Sequence, residues 1–244
     1  MTQIPAWPQG LGLAIHDTLD STNDEAGRLA AGGERGPLWI VAREQRAGRG
    51  RRGRAWVSER GNLFATLLTR AAPPSAPQLA FAAGLAVAET LAAFAPVVAV
   101  TLKWPNDVLL DGRKAAGILL EALRGDTLAI GIGINLADHP LDTETPAVSV
   151  SALTGSAPDA DRVLVRLAGA MAAWYEVWSS RGFAPVREAW LAHAAGLGQP
   201  IRARLEGREM MGVFEALDED GALLLRDASG ALTRIAAGDV FLGT

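Results

Sequence analysis

The chain has 244 residues, 49% hydrophobic and 20% charged, which suits a globular protein with one large domain, alone or with a small second one. It contains no cysteine, which excludes disulfide frameworks and thiolate catalysis. With no apolar run of about 18 residues, no secretion signal and a net charge of −4, we predict a cytoplasmic protein that is neither membrane-bound nor a general nucleic-acid binder.

Hydrophobic periodicity predicts alternating strands and helices in the first hundred residues. In chain order we expect a strand at 11–16, a helix opening at 21–24, strands at 38–43 and 62–69, and a helix at 76–94. Ser21 or Thr22 can cap the first helix. The segment 71–74, which contains Pro73 and Pro74, separates the third strand from the second helix.

The remainder of the chain is predicted to contain a strand-rich centre, two helices and a C-terminal group of short strands. We expect strands at 97–104, 108–110, 116–123 and 128–136, an irregular loop with one helical turn at 138–158, helices at 161–180 and 185–194, and strands at 201–205, 211–217, 222–226 and 232–236. Glycine-containing turns between the last four strands indicate a small antiparallel barrel. We therefore predict two domains, 1–197 and 198–244.

A loop at 48–56, with the sequence GRGRRGRAW, concentrates glycine and arginine. Residues 43–54 hold six arginines against Glu44, so the local sum is six minus one, or +5. Glycine lets a backbone approach a ligand closely, and guanidinium groups suit phosphates. On charge and spacing alone, a flexible or RNA-binding loop explains the segment equally well. Trp56 at its end could stack on a base or pack in the core.

Lysine is rare, because only Lys103 and Lys114 among the 23 basic residues are not arginine. Chance in an arginine-biased composition is one explanation. The other is that these positions need a compact ammonium, which a planar guanidinium does not imitate. Pro105 should end one strand, and a hairpin should deliver Lys114 just before the next. There the ammonium could face an α-phosphate or a developing oxyanion, although a lysine in a turn is usually a surface residue.

The block 131–135, with the sequence GIGIN, ends a buried strand with two glycines and a polar amide. Glycine within a strand often marks the close approach of a ligand. The block is not a dinucleotide fingerprint, because a helix is not expected around it. The three histidines, His16, His139 and His193, lack metal-ligand spacing and are expected to be structural or exposed.

Together and in this order, these blocks resemble the biotin–protein ligases over essentially the whole chain. The resemblance rests on Ser21-Thr22-Asn23, Gln45 with 48–56, 103–107 with 112–121, and 131–135. It implies an α+β fold, in which a mixed β-sheet catalytic domain flanked by helices, class II synthetase-like, carries a small C-terminal SH3-like β-barrel. It also implies that the chain joins biotin to ATP as biotinoyl-5′-AMP and transfers biotin to a lysine of a biotin carboxyl carrier protein, by default that of acetyl-CoA carboxylase.

The resemblance also implies roles for individual residues. Biotin would be bound by Ser21, Thr22, Asn23, Gln45, Gly48, Arg49, Gly50, Lys114 and Gly117. ATP and the adenylate would be bound by Arg51, Arg54, Trp56, Asn106, Asp107, Lys114 and Asn135. Catalysis would depend on Lys114, Arg51 and Arg54, with Mg²⁺ as cofactor and Asp107 as its candidate ligand. The cations are needed because each pair of like charges ~4 Å apart costs about 4 kcal/mol in a partly desolvated site.

Two alternatives stay open at this point. A lipoate–protein ligase shares the fold and the chemistry but normally lacks the arginine-rich stretch, and a nucleic-acid-binding module could use the loop without catalysis. The Ser-Thr-Asn block begins at residue 21, so we expect no N-terminal DNA-binding domain and no operator binding. A homodimer is compatible with the resemblance. The glycine-rich loop should be mobile without ligand and become ordered over the adenylate.

Overall fold

The computed structural model of the chain describes residues 7–72 and 75–243, so the Pro73-Pro74 break lies outside the described residues. Its larger sheet has seven strands: β1 (Gly12–Leu19), β2 (Leu38–Gln45), β3 (Leu63–Arg70), β4 (Val100–Lys103), β5 (Asp107–Leu110), β6 (Arg113–Ala122) and β7 (Thr127–Ile134). Their order is β1-β2-β3-β7-β6-β5-β4. Only β1 and β2 are parallel, so the sheet is mixed as predicted.

Helices cover both faces of this sheet. They are α1 (Thr22–Ala31), α2 (Leu79–Phe94), α3 (Val150–Thr154), α4 (Ala160–Arg181) and α5 (Phe183–Ala192). Side chains alternate between faces along a strand, so Leu67 joins the core beneath α2, α4 and α5, whereas Leu68 packs with Ala26 of α1. The helical segment 76–94 is long and apolar enough to cross a membrane, but most of it is buried inside the protein, as in a core helix.

Three local predictions need correction. The strand predicted at 97–104 begins only at Val100, because a turn holds Val97 almost fully exposed. Ser21 takes the N-cap position of α1 but makes no side-chain capping bond. Lys114 lies inside β6 rather than before it, because the turn between β5 and β6 is only Asp111-Gly112. Both turn residues have positive φ (49° and 71°), which matches the twist of a two-residue hairpin.

The C-terminal strands form a second, antiparallel sheet. They are β8 (Pro200–Leu205), β9 (Arg208–Leu217), β10 (Leu223–Arg226), β11 (Leu232–Ile235) and β12 (Asp239–Leu242), in the order β11-β10-β9-β8-β12. The edge strands β11 and β12 are not hydrogen-bonded to each other, so the sheet is an open form of the predicted barrel. The sequence patterns missed β12, which has only four residues. The domain boundary at 197/198 stays a prediction.

Gly221, between β9 and β10, contacts Trp104 and helix α2 of the larger part of the fold, and its replacement should destabilise the fold. Its carbonyl accepts a hydrogen bond from Trp104 Nε1 at 3.0 Å. Its φ is +90°, and an added Cβ would lie 2.6 Å from the ring of Phe81. We expect Gly221→Ala to lower the free energy of unfolding by about 2–5 kcal/mol, from left-handed backbone strain plus overpacking. Urea titration measures this loss.

Gly230→Ala is the matched control for that prediction. Gly230 has almost the same φ, +86°, but its Cβ would meet open space. Its replacement should cost only about 1–2 kcal/mol, the backbone part of the effect. Equal losses in the two variants would show that the contact with Phe81 contributes nothing.

Candidate active site

A cavity of about 450 Å³ lies between the large sheet and β12 of the small sheet. Residues from every block that the sequence singled out line it. Those expected to act there and found on its wall are Ser21, Thr22, Asn23, Gln45, Arg49, Gly50, Arg51, Arg54, Trp56, Asn106, Asp107, Lys114, Gly117 and Asn135. Gly48 is the exception. It packs against Gln45 and Ser58 and not on the cavity wall. An added Cβ would be 2.4 Å from Ser58 Oγ, so close packing explains why glycine occupies this position.

A hydrogen-bond network fixes the start of α1 at one end of the cavity. Thr22 donates from both its amide (2.8 Å) and its hydroxyl (3.1 Å) to Gln45 Oε1. Gln45 Nε2 donates to Ser58 Oγ at 2.9 Å. The buried Thr66 hydroxyl lies 2.8 Å from Thr22 Oγ1 and 2.7 Å from Asn23 Oδ1. Most polar atoms of Thr22 and Gln45 therefore bond to the protein, which leaves one N–H of Gln45 for a ligand.

Arg49 anchors the beginning of the arginine-rich loop. Its guanidinium donates two bonds of 2.6 Å to Asp24 of α1 and further bonds to Glu121 of β6. Glu121 in turn accepts a 2.6 Å bond from Asn23 Nδ2. These charge-assisted bonds tie the loop to the helix and the sheet, so the side chain of Arg49 is structural in this conformation. Sequence reasoning assigned no role to Thr66, an ordinary strand residue, or to Glu121, the last residue of the 112–121 block.

The loop itself is a tight hairpin. Gly50 donates its amide to the Arg54 carbonyl at 2.7 Å, and Trp56 donates to the Gly48 carbonyl at 2.9 Å. A 3₁₀ turn spans Arg51–Gly53, where Arg52 has a left-handed φ of 56°. Because this segment is a turn and not an extended strand, its successive arginine side chains point toward β12 instead of alternating between two faces.

The arginines of the loop tip converge on Asp239, the first residue of β12. Arg51 lies 3.8 Å and Arg52 3.4 Å from its carboxylate, and Arg54 contacts it directly. Arg204 of β8 approaches to 3.5 Å. Burial opposes ionisation of Asp239, but the arginines outweigh it and lower the pKa of this carboxyl. Arg204 also pairs with Glu144 at 2.6 Å, so two carboxylates face four guanidinium groups, and this side of the cavity keeps an excess of positive charge.

The indole ring of Trp56 packs directly on two glycines, Gly117 of β6 and Gly133 of β7. A Cβ at Gly133 would be 2.5 Å from its indole ring, and one at Gly117 would be 2.9 Å away. The close approach predicted for the glycines of 131–135 is therefore made, at Gly133, by this side chain. Lys114 Nζ lies 5.3 Å from the ring centroid, a cation–π distance. The indole N–H is buried, without a hydrogen-bond partner among the described residues.

The two lysines and their neighbours form the floor of the cavity. Lys114 Nζ lies 2.7 Å from Asp107 Oδ1. Asn106 donates to the Ile118 carbonyl at 2.7 Å and accepts from Arg51 at 3.1 Å. Lys103 is 7% exposed, and burial lowers its pKa.

Asn135, the residue that follows β7, is buried and donates to the Val148 carbonyl at 3.3 Å. This bond holds the loop that follows β7, so in this conformation the amide is turned toward the protein.

The described residues contain no group of three or more histidine, cysteine, aspartate or glutamate side chains that could hold a metal. None of His16, His139 and His193 lines the cavity. Asp107 fits a Mg²⁺ ion shared with a polyphosphate, because Mg²⁺ commonly binds one or two carboxylates together with substrate phosphates. Its Oδ1 is buried and lies 2.7 Å from the Lys114 ammonium.

Comparison with known proteins agrees with the family resemblance that the sequence blocks indicate. The Biotin/lipoate A/B protein ligase family matches residues 17–136, and the Biotin protein ligase C terminal domain matches 196–243. The biotin–[acetyl-CoA-carboxylase] ligase of Paracoccus denitrificans is 48% identical over 92% of this chain and 98% of its own length. The bifunctional ligase/repressor BirA of Bacillus subtilis is 34% identical over 96% of this chain and 75% of its own length.

Solved structures agree with these relatives. Biotin protein ligase from Aquifex aeolicus in complex with biotin and ATP is 28% identical, with a TM-score of 0.82 over 94% of this chain and 97% of that one. The Leishmania major biotin protein ligase in complex with biotinyl-5-AMP is 25% identical, with a TM-score of 0.64 over 93% of this chain and 99% of that one.

Proposed function

The chain belongs to the biotin/lipoate A/B protein ligase family, and from that premise we propose that it adenylates biotin with ATP and transfers the biotinoyl group to a carrier-protein lysine. The observation that carries the proposal is the composition of the cavity. A hydrogen-bonding end around Ser21 and Gln45 and a cationic end around Arg51 and Lys114 share one space. Such a space suits a neutral ring bearing a carboxylate tail together with a polyphosphate.

The biotin ring would lie at the start of α1. The ureido group offers a carbonyl acceptor and two N–H donors. The Ser21 hydroxyl lines the cavity there and makes no capping bond, and Gln45 retains one N–H. Thr22 and Asn23 would hold these groups in place through Thr66 and Glu121. The apolar tail of biotin would run beside Trp56 and Gly117 toward Lys114.

The phosphates of ATP would lie at the cationic end. Arg51 and Arg54 would exchange part of their contact with Asp239 for phosphate oxygens, and Lys114 would face the α-phosphate. Bound Mg²⁺, held by the phosphates and by Asp107, would neutralise negative charge. Adenine would reach Trp56 and Asn135.

The biotin carboxylate attacks the α-phosphate, and pyrophosphate leaves. In the second half-reaction the carrier lysine, as a free amine, attacks the biotinoyl carbonyl, the carbonyl–oxygen bond to AMP breaks, and the amine loses a proton. Lys114 can stabilise the charge that develops at the α-phosphate in both steps. The carrier we propose is the biotin carboxyl carrier protein of acetyl-CoA carboxylase, as the name of the Paracoccus relative suggests.

Biotin- and Mg²⁺-dependent exchange of labelled pyrophosphate into ATP by the purified chain tests this proposal. Lipoate in place of biotin provides the comparison with a lipoate–protein ligase. Exchange with lipoate but not with biotin would favour that alternative. Retention on nucleic acid with no exchange from either acid would revive the nucleic-acid-binding module.

Arg51→Ala and Arg54→Ala should weaken retention of the adenylate more than binding of biotin. The side chain of Arg51 is 25% exposed and bonded to Asn106, whereas that of Arg54 is 54% exposed. We therefore expect at least tenfold faster adenylate dissociation for Arg51→Ala and a smaller effect for Arg54→Ala, because hydrogen bonds to charged groups contribute about 1.5–3 kcal/mol. Stopped-flow release and biotin calorimetry measure the two quantities. Equal losses for biotin and adenylate would contradict these roles.

Three expectations remain predictions that further experiments can address. They are a cytoplasmic location, homodimer formation and the lack of operator binding. Salt-sensitive, specific binding to a biotin-operon promoter at physiological salt would contradict the last of them.

A further inference from the structure

We infer that Lys103, at the end of β4, binds the phosphates of ATP beyond the α-phosphate and the pyrophosphate that leaves. The inference rests on the function proposed above, and it gives the second lysine of the chain a role distinct from that of Lys114. Lys103 lines the same cavity, although the resemblance assigned it no ligand.

The Lys103 ammonium forms no direct ion pair among the described residues. Asp107, Asp239 and Glu144 attract it only from a longer distance. The residue is 7% exposed, and within the described chain its ammonium bonds only to Thr145 Oγ1, at 3.2 Å. Among the described residues, no carboxylate oxygen lies within 4 Å of Lys103 Nζ. A buried ammonium is costly unless it is paired with an anion. An anion that enters the cavity would provide the missing partner.

The position of Lys103 indicates which phosphates it meets. Asp107 lies opposite Lys103 in the β4–β5 ladder and is paired with Lys114, so Lys114 stands between Trp56 and Asp107. Lys103 reaches β12, where its Nζ lies 5.7 Å from the centroid of the Phe241 ring. With Lys114 at the α-phosphate, Lys103 is therefore placed at the phosphates that follow.

The charge on this side also suits the leaving group. Arg202 and Arg204 lie 4.2 and 4.7 Å from the same Phe241 ring, but they are paired with Glu209 and Glu144. The uncompensated charge is that of Lys103 and of the loop arginines that share Asp239. During adenylation a biotin carboxylate oxygen forms a bond to the α-phosphorus, and the bond from that phosphorus to the bridging oxygen breaks. The electron pair leaves with pyrophosphate, so negative charge increases on the side that Lys103 faces. A fixed ammonium there stabilises both the ATP complex and the departing product.

Kinetics of the reverse reaction test the inference in Lys103→Met, which keeps the length of the side chain and removes its charge. Biotinoyl-AMP plus pyrophosphate should return ATP with a KM for pyrophosphate at least tenfold higher than in the wild type. Transfer of biotin from supplied biotinoyl-AMP to the carrier should change less than twofold, because that step involves no pyrophosphate. An unchanged KM for pyrophosphate overturns the inference, whereas a wild-type chain without biotin-dependent exchange overturns the proposed function instead.

A measurement on the unmutated chain keeps the inference testable if Lys103→Met does not fold. The chain has only two lysines, so isotope labelling of lysine side chains gives two sets of side-chain NMR signals, assigned with Lys114→Arg. Mg²⁺-pyrophosphate should shift the Lys103 signals, and biotin alone should leave them in place. A response to pyrophosphate confined to the Lys114 signals would contradict the assignment.

Discussion

Lys114→Arg is expected to slow adenylation of biotin at least 100-fold while the chain stays folded and binds biotin. The ammonium lies 2.7 Å from Asp107 and 5.3 Å from the centroid of the Trp56 ring. A planar guanidinium is wider and presents its donors in a fixed fork, so it cannot take the same place at the α-phosphate. Removal of one well-placed donor from a developing oxyanion costs about 2.7–4 kcal/mol, which corresponds to this loss of rate.

Pyrophosphate exchange, calorimetry with biotin and thermal unfolding together measure that outcome. Arg113→Lys is the matched control, because it changes the neighbouring residue by the reverse exchange and the Arg113 side chain is 42% exposed, facing Asp111. Its activity should equal that of the wild type. Turnover of Lys114→Arg within threefold of the wild type would remove the role proposed for this lysine.

Asp239→Asn is expected to release the arginine-rich loop from the small sheet. The amide keeps the size of the side chain but leaves Arg51, Arg52 and Arg54 without their shared counter-ion, whereas Arg204 keeps its pair with Glu144. Several partly buried ion pairs at up to about 1 kcal/mol each are lost together. We expect backbone amides of 49–55 to exchange with deuterium at least tenfold faster, and biotinoyl-AMP to restore part of the protection because its phosphate supplies an anion.

Glu215→Gln is the control for this variant, since it removes the partner of Arg226 on the same sheet, away from the cavity. Unchanged exchange of 49–55 in Asp239→Asn would show that the ion pairs do not hold the loop. The predicted pH dependence follows from the lowered pKa of Asp239. A lowered pKa means that the contribution of this carboxylate is present above its ordinary pKa, about 3.9, and is lost only as the pH falls through the lowered value. Between pH 5 and 8, loop exchange corrected for the intrinsic rate should therefore not change through Asp239.

The residues that the sequence singled out line one cavity, and they could be found because each block is unusual in its local sequence. Glycines at 131 and 133, the hairpin before Lys114 and the arginines of 48–56 are unusual residue types in distinctive order. A glycine is needed where the backbone meets a ligand or a large side chain closely, and a cation is needed beside a phosphate. The residue type at each position therefore indicates its role from local sequence alone. The predicted strands in their order along the chain and the α4 and α5 helices followed from hydrophobic periodicity, whereas the fold class followed from the family resemblance.

What sequence reasoning missed depends on contacts between distant residues. Asp239 is 187 residues from Arg52, and nothing near it in the chain marks it as their partner. The local charge of +5 also overstated what a ligand meets, because Arg43 is paired with Asp161, and Arg49 with Asp24 and Glu121. A charge sum over a sequence window cannot include partners that only folding brings close.

The scarcity of lysine has a consequence for an enzyme whose intermediate acylates lysine. A mixed anhydride of biotin and AMP reacts with free amines, whereas a guanidinium stays protonated and is not a nucleophile at neutral pH. Here Lys103 is 7% exposed, the Lys114 side chain is 25% exposed and ion-paired, and every other basic side chain except histidine is arginine. An adenylate that escapes the cavity therefore finds few side-chain amines on the enzyme itself. The composition limits self-labelling and leaves the carrier lysine as the favoured nucleophile.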